Sequence, residues 1–412
     1  MILIIYTLFS FCLLIFALIM LLVNPDGWHW LIHVLLLSSG VVNTIIAVIK
    51  CKRNYDYNMM IEYEELGNKY LEGNGVNKSY KAAYDYFLKA TNLGSMYAMH
   101  KIGYMYDNGL GFKQNYKEAY KWYLKAANLG YANSQNAVGN MLENGDGVEK
   151  NIHSALDWYI LAIEQGNKLA KQNLDALKGR ADDNYYYNRG CNYYYGENNT
   201  EKNIYKALRY FKRAAYLGNV QANTYVGIIY NEEKGVSIDQ EKSFKFFLEA
   251  AKNGDSYALN AIGTFYHSGD VVEQNYSEAR KWYEKAAAKG SIAALYNLGI
   301  LYNEGKGVAK NYIKAFEYFE KSSLKGFVQA YFELGYAYYH GHGTKQNKYT
   351  AVSWFKKGVE AGNADCEYGL GYCYYYGEGI IKNTNKGIDL LKQASKKGIK
   401  TAKELINKIE NQ

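Results

Sequence analysis

A glycine in a fixed apolar context recurs nine times along the chain, and this recurrence constrains the fold more than any other feature. It stands in segments such as ELGNKY, KIGYMY, NLGILY and GLGYCY. The nine positions are Gly67, Gly103, Gly139, Gly190, Gly227, Gly263, Gly299, Gly335 and Gly371. Seven of the eight spacings are 36 or 37 residues, and the eighth is 51. Such a period predicts a solenoid of stacked helix pairs.

Each repeat carries further signals at the same period. A large residue lies three positions after the glycine, one helical turn along the same face. These residues are Tyr70, Tyr106, Leu142, Tyr193, Tyr230, Tyr266, Tyr302, Tyr338 and Tyr374. An aromatic pair such as Trp282-Tyr283 follows, and a second glycine such as Gly290 closes the repeat at a helix C′ position. The unit is therefore helix A, a turn, helix B and a stop, and the nine glycines mark where helices approach too closely for a side chain.

The turn between the helices contains Gly-x-Gly in six repeats, as in NEGKGVAKN around Gly305 and Gly307. A phosphate-binding loop would occur once, follow a strand and end in Lys-Ser or Lys-Thr. This motif recurs after a helix and lacks that ending, which favours a structural turn.

Residues 100–130, 263–290 and 299–326 carry nearly every element of one pattern, LG-x-x-Y-x-x-G-x-GV-x-x-(N/D)-Y-x-K-A-x-x-(W/Y)(Y/F)-x-K-A-A-x-x-G. This pattern resembles the Sel-like repeat (SLR), a subclass of tetratricopeptide-type solenoids, over about 59–412. The resemblance implies an all-α fold, an αα-hairpin solenoid with a right-handed superhelix of nine repeats of ~36 residues. It also implies a scaffold or adaptor that binds a partner protein or peptide.

Composition agrees with a helical chain in a reducing compartment. Only one proline, Pro25, occurs in 412 residues. The five cysteines form no CxxC motif, so neither a disulfide framework nor a zinc site is indicated. They also lack the disulfide-per-repeat pattern of some SLR relatives. The net charge of +8 is spread along the chain, which gives no indication of nucleic-acid binding.

The first fifty residues differ from the rest. Residues 1–23 lack charged side chains and predict a transmembrane helix, and 31–49 predict a second. The basic linker 50–58 begins KCKR, which by the positive-inside rule places the repeats in the cytoplasm, in a bacterial inner membrane. In the alternative, 31–49 form an interfacial or buried helix and the repeats face the opposite side.

The 51-residue spacing holds 15 extra residues and predicts two sub-arrays. Repeats 1–3 with an extra helix would occupy 59–178, and repeats 4–9 with a C-terminal capping helix 184–412. The alternative is one continuous stack across 167–183.

The sequence contains no catalytic triad, HExxH or paired-carboxylate motif, so we expect no enzyme, cofactor, metal or small-molecule substrate. We interpret His340 and His342 as turn residues. Cys366 and Cys373 are interpreted as packed thiols on one helix face. A cell-wall hydrolase, one of three hypotheses, lacks a catalytic constellation.

By analogy with tetratricopeptide solenoids, positions −3, +1 and +4 from each helix-A glycine would line a concave groove. In repeats 1–3 these positions are mostly polar, for example Glu64, His100, Asp107 and Glu143. Elsewhere they become aromatic, and the predicted partner-binding residues are Tyr187, Tyr194, Tyr296, Phe332, Tyr336, Tyr339, Tyr368, Tyr372 and Tyr375. Tyrosine gives a large contact area at low entropic cost. We therefore expect a membrane-anchored adaptor, with an envelope-facing repeat protein as the alternative.

Overall fold

A computed structural model of the chain describes residues 28–232 and 236–410, which form twenty α-helices and no β-strand. The chain divides into two compact units, Met1–Ala176 and Leu177–Gln412. The prediction of an all-α helical repeat array is confirmed, whereas superhelix handedness and a concave groove stay predictions.

Unit 1 contains repeats 1–3 and most of an extra helix. Its helices are α1 (Trp28–Glu72), α2 (Tyr80–Asn92), α3 (Met96–Asn108), α4 (Tyr116–Asn128), α5 (Ala132–Asn144), α6 (Ile152–Glu164) and α7 (Lys168–Leu177), whose last residue belongs to unit 2.

Unit 2 contains repeats 4–9 and a terminal helix. Its helices are α8 (Asp183–Tyr195), α9 (Ile204–Leu217), α10 (Val220–Asn231), α11 (Gln240–Lys252), α12 (Ser256–Ser268), α13 (Tyr276–Ala288), α14 (Ile292–Glu304), α15 (Tyr312–Leu324), α16 (Val328–His340), α17 (Lys348–Glu360), α18 (Ala364–Tyr376), α19 (Thr384–Lys396) and α20 (Lys400–Glu410). Each A helix packs on the B helix of its repeat, and within a unit each B helix packs on the next A helix.

The helix ends follow from local sequence. B helices begin at a polar N-cap; Asn311, for example, accepts a hydrogen bond from the backbone N–H of Lys314 at 3.0 Å. Helix A of the same repeat ends at Gly305, with φ of 74°, and helix B is followed by Gly326, with φ of 85°. Both lie in the left-handed region that favours glycine, which confirms the predicted stops.

A contact between glycine and an aromatic ring joins the two helices of nearly every repeat. A Cβ atom built on Gly299 would lie 2.5 Å from Cε1 of Phe319, the second member of the aromatic pair on helix B. The predicted close approach is thus confirmed. The other rings that occupy this position are Phe87, Tyr123, Tyr159, Phe211, Phe247, Tyr283 and Phe355. Repeat 9 departs from the pattern, since a Cβ atom built on Gly371 would meet no ring and would lie 3.1 Å from Cγ of Leu391.

The first member of the aromatic pair packs against the large residue three positions after the glycine. The rings of Tyr302 and Tyr318 are stacked with their centroids 5.7 Å apart, and the rings of Tyr193 and Tyr210 are stacked with their centroids 5.5 Å apart. In these repeats one ring is buried against a glycine and another is stacked beside it.

The Gly-x-Gly turn rests on the preceding repeat. Gly307 lies against the start of the previous B helix, where an added Cβ would fall 2.5 Å from the carbonyl carbon of Tyr276. The second glycine of the motif is therefore explained by close backbone packing between repeats, as the turn interpretation requires.

Helix α1 differs from the expected N-terminal arrangement. The stretch 31–49, the linker 50–58 and helix A of repeat 1 belong to one continuous helix, because no glycine or proline lies between Gly40 and Gly67. In the part of the chain that the structure describes, no helix has the length and apolar character needed to cross a bilayer. The predicted span over 31–49 thus finds no support, and the one over 1–23 lies outside the described residues.

We predict that Gly299→Ala lowers the free energy of unfolding of unit 2 by about 1–3 kcal/mol, because the new methyl group overlaps Phe319. Gly371→Ala is the matched control and should cost less, since its nearest neighbours are 3.1 Å away. Urea unfolding followed by circular dichroism measures both. Combining Gly299→Ala with Phe319→Leu should cost less than the sum of the single losses, and strict additivity would contradict the contact.

Candidate interaction surface

The aromatic residues of repeats 8 and 9 form one cluster on the A helices of unit 2. Phe332 and Tyr336 on α16 have ring centroids 6.0 Å apart, and the rings of Tyr339 and Tyr372 of α18 are 6.1 Å apart. The ring of His340 links the two pairs, at 4.2 Å from Tyr336 and 4.8 Å from Tyr339. Tyr368 and Tyr376 extend the cluster on either side of Tyr372, at 6.5 and 4.6 Å, and Tyr375 contacts Tyr376 at 4.8 Å. We call the seven tyrosine and phenylalanine residues the C-terminal aromatic surface.

This surface is partly open to solvent. The side chains of Tyr336 and Tyr376 are 40% and 43% exposed, and the other five are half-buried. Rings that are held by neighbours yet accessible lose little entropy when a partner covers them.

One edge of the surface is held by a polar triad. The hydroxyl of Tyr339 donates a hydrogen bond to the carboxylate of Glu378, which lies in the turn of repeat 9. Lys348 forms an ion pair with the same carboxylate at 2.5 Å and lies 5.1 Å from the centroid of the Tyr339 ring. The two hydrogen bonds lower the pKa of Glu378, so this carboxylate is ionised and already paired.

Tyr296 lies deeper than the sequence suggested. Its ring packs on Phe319 and Phe327, with centroids 5.9 and 5.3 Å away. Burial raises its pKa to about 12, with the negative charges of Glu333 and Asp365 as further causes. Tyr296 is therefore a packed side chain, and no ring contact among the described residues joins it directly to the C-terminal aromatic surface.

Tyr187 and Tyr194 belong to a separate cluster in repeats 4 and 5. Both contact Tyr225, at 6.0 and 5.4 Å, and Tyr225 stacks on Phe211 at 4.7 Å. The hydroxyls of Tyr225 and Tyr195 are hydrogen-bonded at 2.7 Å. No ring contact among the described residues joins this cluster to the C-terminal aromatic surface, so the nine predicted residues do not form one site.

Unit 1 presents polar groups at the same positions. The ring that packs on the glycine is a tyrosine in repeats 2 and 3, and its hydroxyl forms a hydrogen bond with an acidic residue on the A helix. Tyr123 donates to Asp107 at 3.4 Å and Tyr159 to Glu143 at 3.0 Å. In repeat 8 the A-helix residue is aromatic and the packed ring is Phe355, which has no hydroxyl. In these three repeats the choice between tyrosine and phenylalanine on helix B thus follows the polarity of the A-helix surface.

A serine–histidine pair in unit 1 was not foreseen from the sequence. His100 Nδ1 and Ser134 Oγ are 2.9 Å apart. Ser134 is fully buried, so its hydroxyl cannot meet a substrate, and burial lowers the pKa of His100 to about 4. The pair joins successive A helices and does not form a hydrolytic site.

His340 and His342 lie at the edge of the C-terminal aromatic surface, with ring centroids 5.5 Å apart. His342 stacks on Tyr312 at 4.5 Å. Within residues 28–232 and 236–410, no three His, Cys, Asp or Glu side chains converge as a metal site would require. Cys366 and Cys373 are buried free thiols.

Glu333 is the charged group that sequence positions alone did not single out. It shares a narrow cleft with Asn303, Tyr312, Tyr336 and His342. Burial raises its pKa to about 7, and the like charges of Asp365 and Glu304 add to the shift. No described side chain forms a hydrogen bond or ion pair with Glu333, whereas Glu304 is paired with Lys306 at 2.8 Å.

Comparison with known proteins identifies the class. The Sel1 repeat family matches 63–95, 97–131, 132–167, 184–219, 220–255, 256–291, 292–327, 328–363 and 364–399. The chain therefore belongs to the Sel1 repeat family. Proteins of this family generally mediate protein–protein interactions and are typically not enzymes. No curated protein matches the chain significantly by sequence.

Several solved structures are similar. One is c5321, a protective antigen present in uropathogenic Escherichia coli strains that displays an SLR fold; it is 27% identical, with a TM-score of 0.52, over 87% of this chain and 81% of its own. A Sel1 repeat protein from Oxalobacter formigenes is 22% identical, with a TM-score of 0.42, over 88% and 91%. Helicobacter pylori cysteine rich protein B is 25% identical, with a TM-score of 0.26, over 31% and 92%.

We predict that Glu333→Gln stabilises unit 2 at pH 8 but not at pH 5. The raised pKa means that the folded state binds this proton more tightly than the unfolded state, so stability is lost as pH rises from about 4.5 through about 7. Removing the charge should restore about 1–3 kcal/mol at pH 8 and almost nothing at pH 5. Thermal unfolding at both pH values measures the difference.

The control is Glu317→Gln, which changes an exposed carboxylate on α15. It should shift the melting temperature equally at both pH values. A Glu333→Gln effect that is also independent of pH would contradict the assigned ionisation.

Proposed function

We propose that this Sel1 repeat protein is an adaptor that binds a polypeptide partner on the C-terminal aromatic surface. The observation that carries the proposal is the half-exposed array of seven aromatic side chains on α16 and α18, which the ring of His340 joins into one surface. Phe332, Tyr339 and Tyr368 also pack against the core, but the array remains partly open to solvent, and exposed aromatic clusters of this kind are typical of protein interfaces. Polar hydroxyls on apolar rings also suit a surface that is wet when free and covered when bound.

The repeat architecture supports an interaction role for this face. The glycine, the packed ring and the turn residues hold each repeat together, which leaves the A-helix positions free to differ between repeats. Unit 1 fills them mostly with polar residues, whereas repeats 8 and 9 fill them with aromatic residues. We infer that the two units present different surfaces and that the aromatic one carries the main partner contact.

Attachment to a membrane is a separate part of the proposal and rests on sequence alone. Residues 1–23 contain no charged side chain, and the basic residues Lys50, Lys52 and Arg53 favour a cytoplasmic location for the repeats. An envelope-facing protein is the second candidate. Sel1 repeats are often found in periplasmic or exported proteins, and the similar c5321 structure is that of a protective antigen.

The binding proposal predicts that the combined change Tyr336→Ala, Tyr339→Ala and Tyr372→Ala weakens partner binding at least tenfold, because three contact rings are lost. Suitable probes are peptides selected from a random displayed library on the full-length protein. Fluorescence anisotropy with the wild type and the variant measures the loss.

The control changes Tyr205→Ala and Tyr349→Ala, which remove tyrosines that are 68% and 76% exposed on B helices. This variant should bind like the wild type. Circular dichroism melting checks that both variants fold, and Tyr339→Phe tests the loss of the hydroxyl alone. Peptides that bind the triple variant as tightly as the wild type would overturn the proposal.

The membrane proposal predicts a cytoplasmic signal from a reporter fused after Gln412 that fluoresces only in the cytoplasm. A paired reporter that is active only outside should stay silent. The reverse result would contradict the cytoplasmic location and favour the envelope-facing candidate.

A further inference from the structure

The cleft around Glu333 combines an unpaired carboxylate with aromatic walls. Glu333 and Tyr336 lie one turn apart on α16, and both line the cleft with Tyr312 and His342. The ring of Tyr336 is 5.8 Å from that of His342, which stacks on Tyr312. A carboxylate bordered by electron-rich rings is the arrangement that attracts a positively charged side chain, through an ion pair and cation–π contacts together.

The charges around the cleft have the same sign. Asp365 at the start of α18 is the strongest charged neighbour that acts on Glu333, and no described side chain pairs with Asp365 either. Of the nearby cations, Lys306 is engaged by Glu304 and Lys348 by Glu378. Burial and the charges of His342 and Lys348 lower the pKa of His340, so His340 stays neutral near neutral pH. Glu333 therefore has no hydrogen-bond or ion-pair partner among the described side chains, although the imidazole of His342 lines the same cleft.

An unpaired, half-buried carboxylate lowers the stability of the folded chain, and groups that do so are characteristic of binding sites. The cleft has a volume of about 10 Å³, which is room for about one water molecule, so a cation would sit at its mouth. At that point it would offset the negative charges of Glu333 and Asp365. A neutral or acidic ligand would leave the repulsion between them in place.

We propose that Glu333 receives an arginine or lysine side chain of the polypeptide bound on the C-terminal aromatic surface. This inference rests on the proposed function and adds the chemistry of the partner to it. The bound segment places apolar or aromatic side chains against Tyr336, Tyr339 and Tyr372 and one basic head group at the mouth of the cleft. Asp365 stabilises the same positive charge from α18.

The test uses peptides selected from a random displayed library on the full-length wild-type protein. Peptides whose binding is lost in the triple tyrosine variant are first sorted as ligands of the aromatic surface. These peptides should share an arginine or lysine at one position, and Glu333→Gln should weaken them at least tenfold, because a charged partner is left without its counter-charge. Replacing that arginine with citrulline should weaken binding to the wild type but have little further effect in Glu333→Gln.

Glu317→Gln is the matched control and should bind like the wild type, since it removes an equal charge from an exposed site on α15. Titration calorimetry in buffers of different ionisation enthalpy gives a second readout. Binding of a cationic peptide at pH 7 should release protons from the wild type, since the incoming charge lowers the pKa of Glu333, and release fewer from Glu333→Gln.

The outcomes separate this inference from the proposed function. Peptides that need the tyrosines but carry no common basic residue, and bind Glu333→Gln normally, would overturn the inference and leave the proposed function standing. Peptides that need neither would overturn both. Self-association of the chain that disappears in Glu333→Gln, as seen by sedimentation, would assign the cleft to a second copy and overturn the inference.

Discussion

The contact between a helix-A glycine and a helix-B ring is the constraint on which the rest of the structure depends. At Gly299 even a methyl group would overlap Phe319, so the ring of helix B lies directly against the backbone of helix A. The same contact recurs in eight repeats and is relaxed only in repeat 9, where Leu391 replaces the ring. Because it fixes each hairpin from the inside, the outer residues of helix A can differ between repeats, although some of them, such as Phe332 and Tyr339, also pack against the core.

The outer residues of the A helices differ between the two units. In unit 1 the hydroxyls of Tyr123 and Tyr159 reach acidic residues on the A helices, and amide and imidazole groups join neighbouring repeats. In unit 2 the rings of repeats 8 and 9 contact each other along the A helices, and Glu333 lies at one edge of them. One scaffold thus carries a hydrogen-bonded polar surface and an aromatic surface with an unpaired charge. The aromatic surface with the unpaired charge is the one that we expect to bind a partner.

Most of the fold could be predicted from sequence because each repeat encodes its own packing in residues 20 positions apart, such as Gly299 and Phe319. The site was less predictable, since it depends on contacts between repeats. Glu333 and Tyr225 lie two positions before their glycines, outside the −3, +1 and +4 pattern. Their roles follow from contacts with residues of other helices, which the pattern within one repeat does not predict. Phe327, like Tyr131 in repeat 3, stands where the other described A-helix N-caps are Ser, Asn or Asp, and its ring packs on Tyr296. Helix α1 continues through the predicted linker because that segment lacks a helix-breaking residue.

The central claim is that the partner contacts the A helices of repeats 8 and 9 rather than the B helices. A photo-reactive phenylalanine analogue placed at Tyr336 or at Tyr349 tests it directly, because both side chains are exposed and belong to the same repeat. We predict that irradiation in the native cell cross-links a discrete polypeptide to the analogue at position Tyr336 and not to the analogue at position Tyr349. Cross-linking at Tyr349 alone, or equally at both positions, would contradict it.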